Sequence, residues 1–389
     1  MVHPRPVPSI ADLAPAVHGS WEGNIESILD FSANGNVIGP PPAARDAIGA
    51  AAIDRYPERT SASLRQVLSR RHGLDPEMIV VGNGSTELIW AVARAYLAPG
   101  SVSLVLGPTY GEYATACRAA GAEVRDLWMA GELVPLPDYI SDLQPMVAWL
   151  CHPNNPTGTP FPVELLPELI EAAPETLFVV DEAYWTLTHG LASAAAYVTG
   201  GHVVVLRSLT KDLGLAGLRV GYALAGRQVS DAMQRALPPW NVSSVAQAAA
   251  LVALADTDHL ELARGAVATS RGHLERGLHA LGLEPCPSEA NFVLVWVGDA
   301  AAITAGLLAQ GCVVRDCKSF GLPEFIRIGV RSLPDQERLL AALAEVLGRR
   351  ALTPPSPAAA GEGAVFRASP TTVGEAGRRG VAPGTGEGR

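Results

Sequence analysis

The most informative segment of this sequence is Ser208-Leu209-Thr210-Lys211-Asp212-Leu213-Gly214-Leu215-Ala216-Gly217-Leu218-Arg219-Val220-Gly221. Its lysine lies between a serine hydroxyl and an arginine, and glycines fill the turn between the lysine and the arginine. A lysine held in this way can form an imine with an aldehyde cofactor, while the hydroxyl and the guanidinium bind the cofactor's phosphate. The sequence therefore predicts that Lys211 is the imine-forming residue and that Ser208 and Arg219 are phosphate ligands. An ordinary surface lysine is the alternative, and the surrounding motif argues against it.

Two segments upstream of this stretch offer partners for the ring of such a cofactor. Asp181 follows the apolar run Leu177-Phe178-Val179-Val180, and the carboxyl end of a parallel strand faces the crevice where ligands bind. There the carboxylate would pair with a protonated ring nitrogen, and Tyr184 and Asn155 would donate to the phenolic oxygen. A helix cap at Asp181 and a plain turn at Asn154-Asn155-Pro156-Thr157-Gly158 are the alternatives. In this order the segments predict pyridoxal 5'-phosphate (PLP) as the cofactor.

The run Gly82-Asn83-Gly84-Ser85-Thr86-Glu87 opens a predicted helix over Ser85–Ala98. Backbone amides at a helix N-terminus bind anions, and a glycine allows the anion to approach the backbone closely. A simple Ser/Thr cap with Glu87 in the first turn is the alternative, and both can hold together. The segment therefore adds three candidate phosphate ligands: Gly84, Ser85 and Thr86.

Tyr110 follows the predicted strand Ser101–Leu106 and is a candidate to stack on the face of the cofactor ring. A core or surface tyrosine is the alternative at this position. The prediction depends on whether the strand ends beside the other candidate residues.

Apolar runs alternate with amphipathic stretches along residues 76–242, which predicts a large α/β domain with a doubly wound, mostly parallel sheet. Two of the runs are almost wholly apolar, as in strands that are covered on both faces. The predicted strands are Ser101–Leu106, Glu123–Leu127, Met146–Leu150, Thr176–Val180, His202–Arg207 and Leu218–Ala223, and the predicted helices are Ser85–Ala98, Gly111–Ala120 and Pro162–Ala172.

Residues 243–350 predict a long bridging helix over Ser243–Leu281, followed by a smaller α/β domain. Residues 1–75 are expected to pack with that domain or with a partner subunit. Residues 351–389 are rich in Pro, Gly, Ala, Ser and Thr, so we expect a disordered tail without a catalytic role. The elements predicted for the smaller domain are Asn291–Val297, Ala300–Gln310, Cys312–Arg315, Phe325–Val330 and Pro334–Leu347.

Composition narrows the class of partner. The net charge of −10 and scattered basic residues argue against nucleic acid. No apolar run approaches the ~18 residues of a membrane span, and the N-terminus lacks the apolar core of a secretory signal, so we expect a cytoplasmic protein without a membrane partner. Five widely spaced cysteines predict neither a disulfide framework nor a metal site.

Further segments match a known family in the same order as its motifs: Asp30-Phe31-Ser32-Ala33-Asn34, Arg55-Tyr56-Pro57, Gly82-Asn83-Gly84, Pro239-Trp240-Asn241-Val242 and Phe325-Ile326-Arg327-Ile328-Gly329-Val330-Arg331. With the Lys211 motif, the chain resembles the class I/II aminotransferases of fold type I over about residues 18–348. Within that family it is most similar to the branch of histidinol-phosphate aminotransferases and threonine-phosphate decarboxylases.

The resemblance implies the fold of a fold type I PLP-dependent transferase and a homodimer in which Tyr56 reaches the partner subunit's PLP phosphate. It places Asn34 and Gly35 beside an anionic amino substrate and Arg327 on that substrate's carboxylate or phosphate. Arg331 is a candidate for a second anion contact, with solvation at a strand edge as the alternative.

One departure from the family pattern bears on the substrate. The decarboxylase-like pattern usually has a proline where Val37 follows Asn36, and Gly19-Ser20-Trp21 also differs from the usual glycine-rich start. Both changes fall near the expected substrate pocket.

The expected activity is PLP-dependent transamination, with Lys211 as general acid/base and with Asp181 and Tyr184 acting on the cofactor ring. Decarboxylation of L-threonine O-3-phosphate on the same scaffold is the alternative, since Arg327, Arg331 and Trp240 suit a substrate with both carboxylate and phosphate. A non-catalytic PLP-binding regulator is a remote third reading, because the residues before the predicted PLP domain show no helix-turn-helix pattern.

Overall fold

The computed structural model describes residues 4–19, 28–128 and 136–348, and the predicted disordered tail lies outside them. Within these ranges the strands are β1 Leu29–Asp30, β2 Ile79–Gly82, β3 Val102–Gly107, β4 Glu123–Trp128, β5 Val147–Cys151, β6 Leu177–Asp181, β7 Val203–Ser208, β8 Gly221–Ala225, β9 Phe292–Trp296, β10 Cys312–Val313, β11 Arg315–Asp316 and β12 Phe325–Gly329. The helices are α1 Pro8–Ala11, α2 Pro42–Ala50, α3 Ala62–His72, α4 Ser85–Tyr96, α5 Glu112–Ala119, α6 Leu136–Leu143, α7 Leu166–Ala172, α8 Leu209–Asp212, α9 Arg227–Ala236, α10 Ser244–Ala255, α11 Thr257–Ala280, α12 Ala300–Ala309 and α13 Leu333–Gly348.

A seven-stranded sheet in the order β2-β8-β7-β6-β5-β3-β4 forms the centre of the larger part. Only β8 runs against its neighbours, so the predicted doubly wound, mostly parallel sheet is confirmed. After β4 the chain returns to the other side of β3 and adds β5, which makes the gap between β3 and β5 the point where the winding reverses. Ligands of open α/β sheets bind at the carboxyl ends of the strands beside such a point.

The central strands are buried along their whole length, which is why they are nearly all apolar. Successive residues point to opposite faces, so Phe178 and Val180 join one core while Val179 joins the other together with Trp149. Each core is closed by helices. The sheet is therefore a rigid platform whose strand ends can hold side chains in fixed positions.

The smaller part contains an antiparallel sheet in the order β11-β12-β9 and a parallel pair of β1 with β10. Phe31, Val293 and Ile326 are fully buried in its core, which α11, α12 and α13 help to close. Residues before 76 contact both parts, since β1 pairs with β10 while α2 and α3 pack on α10. The domain boundaries proposed from the sequence stay a prediction.

Several elements differ from their predicted bounds, and three of the differences have a clear structural cause. The predicted helix over Ser243–Leu281 is two helices, because the Asp256 carboxylate accepts a hydrogen bond from the His259 amide and caps the start of α11. The predicted strand over Cys312–Arg315 divides into β10 and β11, which belong to different sheets. Strand β8 begins only at Gly221, because Arg219 has a left-handed backbone with φ of 55°.

Within the described ranges, no helix is long and apolar enough to cross a membrane. The same ranges bring together no group of three or more His, Cys, Asp or Glu side chains that could hold a metal ion.

Candidate active site

Four neighbouring parallel strands, β3, β5, β6 and β7, end at the same edge of the large sheet. The predicted residues Tyr110, Asn155, Asp181 and Lys211 lie at or just after these ends. Tyr110 and Asn155 follow β3 and β5, the two strands on either side of the point where the winding reverses. The topology therefore brings together side chains that are far apart in the sequence.

Lys211 lies in the short helix α8, directly after β7. Burial, followed by the positive charges of Arg327 and Arg219, lowers the pKa of its ammonium to about 8, although the Asp181 carboxylate acts in the opposite direction. The four charged groups are thus close enough to act on one another. A lysine with this pKa has a substantial neutral fraction near neutral pH, which makes it a nucleophile and a proton acceptor.

Asp181 is the last residue of β6 and is buried. Its Oδ1 accepts a hydrogen bond from the Ala183 amide at 2.9 Å, and its Oδ2 accepts one from the Tyr113 hydroxyl at 2.8 Å. Burial raises the pKa of the carboxyl and these two hydrogen bonds oppose the rise, so that the pKa is about 6. Asp181 is therefore ionised at neutral pH although it lies in the core.

A cradle for an anion surrounds the N-terminus of α4. Gly84 has φ of 82°, and a Cβ at this position would lie 2.8 Å from the Arg219 Nη2. A Cβ on Gly221, the neighbour of Ser208 across the β7–β8 pair, would lie 2.8 Å from the Ser85 amide nitrogen. The two glycines thus allow the Arg219 guanidinium and the N-terminus of α4 to lie close together, and guanidinium groups and helix N-terminal amides are donors suited to a phosphate.

Tyr110 is next to this cradle, since its hydroxyl is close enough to the Thr86 side chain for that side chain to lower its pKa. Burial raises the pKa of the Tyr110 hydroxyl, so the phenol stays protonated. Its ring meets the Tyr113 ring edge-on, with centroids 5.6 Å apart and an interplanar angle of 82°.

On the other side of the site, Arg327 is buried and donates from Nη1 to the Asn155 Oδ1 and from Nη2 to the Ser32 carbonyl. The Asn34 Nδ2 donates to the Tyr184 hydroxyl at 3.2 Å. Two buried polar atoms here have no partner, the Arg327 Nε and the Asn34 Oδ1. Buried polar atoms of native proteins are normally paired, so this end of the site has polar capacity left for a ligand.

The loop that follows Asn34 is tied to both parts of the molecule. The Gly35 carbonyl accepts a hydrogen bond from the Asn291 side chain at 2.9 Å, and the Asn36 side chain donates to the Asp212 carbonyl at 2.7 Å. Because Asp212 directly follows Lys211, this loop lies close to the lysine. The resemblance to the family implies that the substrate binds there.

Arg315 is a residue that the sequence analysis did not select. It is the direct partner of Arg327 across the antiparallel pair of β11 and β12. Its Nη1 and Nη2 donate to the carbonyls of His18 and Val17 at 2.7 and 2.8 Å, and its Nε is buried without a partner. Like charges that face each other across strands repel, and burial together with the charge of Arg327 lowers the pKa of the Arg315 guanidinium. Only the strand register, which the sequence did not predict, reveals this relationship.

Two residues that were predicted to belong to the site, Tyr56 and Arg331, make their contacts away from Lys211. The Tyr56 side chain is 80% exposed, with its ring centroid 5.0 Å from that of Trp240. Strand β12 ends before Arg331, whose Nε donates to the Asp335 carboxylate and whose Nη1 donates to the Asp30 carbonyl, both at 3.1 Å. The structure therefore does not bring these two side chains to the cluster around Lys211.

A family model described as aminotransferase class I and II matches residues 26–346. The chain therefore belongs to the aminotransferase class I and II family, and the family predicted from its motifs is confirmed. It is an enzyme, a PLP-dependent aminotransferase. The reading as a non-catalytic regulator is wrong.

Among curated proteins, histidinol-phosphate aminotransferase 2 of Pseudomonas aeruginosa is 36% identical, and the match covers 87% of this chain and 97% of that protein. Among solved structures, the histidinol-phosphate aminotransferase of Sinorhizobium meliloti in complex with pyridoxal-5'-phosphate is 29% identical, with a TM-score of 0.76 and coverage of 82% and 90% of the two chains. The fold type I prediction is confirmed by these neighbours.

The L-threonine-O-3-phosphate decarboxylase of Porphyromonas gingivalis has a similar structure, with a TM-score of 0.75, 28% identity and coverage of 82% of this chain and 99% of that chain. Its identity is lower than that of the curated aminotransferase. The comparisons therefore do not favour the decarboxylase alternative.

Proposed function

We propose that this enzyme transfers the amino group of a small phosphorylated amine, histidinol phosphate in particular, to a 2-oxo acid. The names of its relatives suggest this substrate, and the facing pair Arg315 and Arg327 supports it most directly. Two opposed guanidinium groups, each with a buried unpaired Nε, suit the double negative charge of a phosphate better than a single carboxylate.

The residues present fit PLP. The absence of a Cβ at Gly84 leaves room beside Arg219 for a phosphate, and we assign Ser85, Thr86 and Ser208 to the same cradle. Asp181 would pair with the ring nitrogen, Tyr110 would stack on the ring, and Asn155 and Tyr184 would donate to the phenolic oxygen. PLP bound here supplies an aldehyde that captures amines and a protonated ring that withdraws electrons from the substrate Cα.

With these assignments, Lys211 is the residue that transfers the proton of the substrate Cα. Its amine, with a pKa near 8, would take the proton from the substrate Cα. Asp181 stays ionised through the reaction and keeps the ring nitrogen protonated. Arg327 and Arg315 hold the phosphate and thereby fix which bond at Cα faces the ring, while Asn34 and Gly35 border the amine.

The assignment includes a homodimer, in which the exposed Tyr56 reaches the phosphate bound by the partner subunit. The exposed pair of Tyr56 and Trp240 offers an aromatic surface for that contact. A second anion contact by Arg331 stays a prediction.

We also propose a cytoplasmic location, which agrees with the unpaired and buried state of all five cysteines.

The test compares three substrates at the same concentration: histidinol phosphate, histidinol and threonine phosphate, each with and without 2-oxoglutarate. We expect glutamate to form from histidinol phosphate only when the acceptor is present, and much faster than from histidinol. Equal rates with histidinol would reject the phosphate assignment. Release of carbon dioxide from threonine phosphate without an acceptor would establish the decarboxylase instead.

A further inference from the structure

The hydroxyl of Tyr113 is a fixed donor to the Asp181 carboxylate. Tyr113 lies in α5 and is fully buried, and its oxygen is 2.8 Å from the Asp181 Oδ2. Burial and the negative charge of Asp181 raise the pKa of the phenol well above its ordinary value. The hydroxyl therefore keeps its proton, and the proton points to the carboxylate.

The Tyr113 ring is held by its neighbours. It stacks on the Trp149 ring, with centroids 5.3 Å apart and an interplanar angle of 9°. The Trp149 indole is itself anchored, because its Nε1 donates to the Ser103 Oγ at 3.1 Å. On the other side, the Tyr110 ring lies against its edge. A ring packed in this way can orient a carboxylate accurately, since its own rotamer is fixed.

Among the groups around Asp181, the Tyr113 hydroxyl does most to oppose the effect of burial on the pKa of the carboxyl. The hydrogen bond from Tyr113 opposes the rise in the pKa of Asp181 more than any other contact, and the positive charge of Lys211 helps less. Glu182, on the same strand end, acts in the raising direction. Cys151, the neighbour of Asp181 in β5, has its own pKa raised to about 12 by burial and stays neutral.

We infer that Tyr113 is a positioning residue for the cofactor: its hydroxyl holds the Asp181 carboxylate in the orientation that pairs with the ring nitrogen of PLP. This inference rests on the proposed assignment of Asp181. The Ala183 amide fixes one carboxylate oxygen and Tyr113 fixes the other, so the carboxylate plane cannot turn. Without the hydroxyl, Asp181 would be a stronger base with a free torsion, and it would hold the cofactor ring less well.

The test measures the dissociation constants of PLP and of its 1-deaza analogue, in which a C–H replaces the ring nitrogen. The proteins compared are the wild type, Tyr113→Phe and the control Tyr222→Phe. Tyr222 is also a buried tyrosine with one hydroxyl partner, His72, but it lies in the core on the other face of the sheet. Circular dichroism and unfolding in urea establish that each variant is folded.

We expect Tyr113→Phe to weaken PLP binding about tenfold at neutral pH, because the Asp181 carboxylate would no longer be held in the orientation that pairs with the ring nitrogen and would be protonated more easily. We also expect the pH below which PLP affinity falls to move up by about one unit. Binding of the deaza analogue should not change, and Tyr222→Phe should bind both compounds as the wild type does.

The inference is overturned if Tyr113→Phe binds PLP with the wild-type constant and pH dependence. It is also overturned if this variant loses affinity equally for PLP and the deaza analogue, since that result indicates a general structural role. A wild-type protein that binds neither compound would instead reject the proposed function, so the two failures are distinguishable.

Discussion

Arg315 and Arg327 are direct neighbours across the β11–β12 pair, and each has a buried Nε without a partner. From this relationship we predict that Arg315→Gln raises the KM for a phosphorylated amine roughly 10- to 100-fold, because a hydrogen bond to a charged group is worth about 1.5–3 kcal/mol. The KM for the 2-oxo acid should change less. Steady-state kinetics measures both, with Arg276→Gln, an exposed arginine on α11, as the matched control. An unchanged KM in Arg315→Gln would remove this residue from the substrate site.

Position 84 requires a glycine for two reasons: its backbone conformation and its closeness to the Arg219 side chain. With φ of 82° and only 2.8 Å between a Cβ and the Arg219 Nη2, Gly84→Ala should displace the guanidinium and strain the backbone by about 1–3 kcal/mol. We predict a loss of PLP affinity of at least tenfold, measured by titration of the apoprotein. Gly217→Ala is the control, since a Cβ there meets no atom within 4 Å. Equal PLP affinity in the two variants would contradict the anion cradle.

Glu182 and Arg207 form a buried ion pair of 2.5 Å beneath the site, with side-chain exposures of 0% and 3%. The Arg207 guanidinium also lies 4.0 Å above the Trp185 ring. Glu182→Gln would remove the carboxylate that is paired with the buried guanidinium, and we predict a decrease of about 3–5 kcal/mol in the free energy of unfolding. Urea denaturation measures it. In the exposed pair of Arg125 and Glu123, Glu123→Gln should change stability by about 1 kcal/mol or less. Similar small losses in both variants would refute the prediction.

Capture of PLP by the apoprotein should depend on pH through Lys211. Its pKa is lowered to about 8, so the reactive neutral amine is the minor form below that pH and the major form above it. We predict that the capture rate rises with pH and levels off above about pH 8. A lysine model compound with an unperturbed pKa of about 10.4 should show a rate that continues to rise through this range. A protein rate that follows the model compound would mean that the amine is not desolvated.

The site residues that could be identified from the sequence are those whose role is indicated by their neighbours along the chain. Asp181 ends an apolar strand, and Lys211 follows another, so the run of apolar residues and the polar residue after it are visible together. The mostly parallel sheet was predictable for the same reason, since buried strands leave a continuous apolar signal. Strand β2, only four residues long, was too short to be recognised from its pattern.

The residues that the sequence did not reveal depend on packing between distant elements. Arg315 faces Arg327 only because of the register between β11 and β12, which no local pattern specifies. Tyr113 lies three residues after Tyr110, in the first turn of α5, but its contact with Asp181 arises from the packing of α5 on the sheet. Arg331 follows Arg327 with even spacing, yet β12 ends between them, and its contacts are with Asp335 and Asp30.

The measurement that tests the central claim most directly is the location of the covalent bond to PLP. The protein is incubated with PLP, reduced with borohydride and digested, and the modified peptide is identified by mass spectrometry. We expect a single reduced adduct on Lys211 Nζ, a yellow protein before reduction, and loss of both in Lys211→Ala. An adduct on Lys318 or at the N-terminus, or a yellow protein that persists in Lys211→Ala, would contradict it.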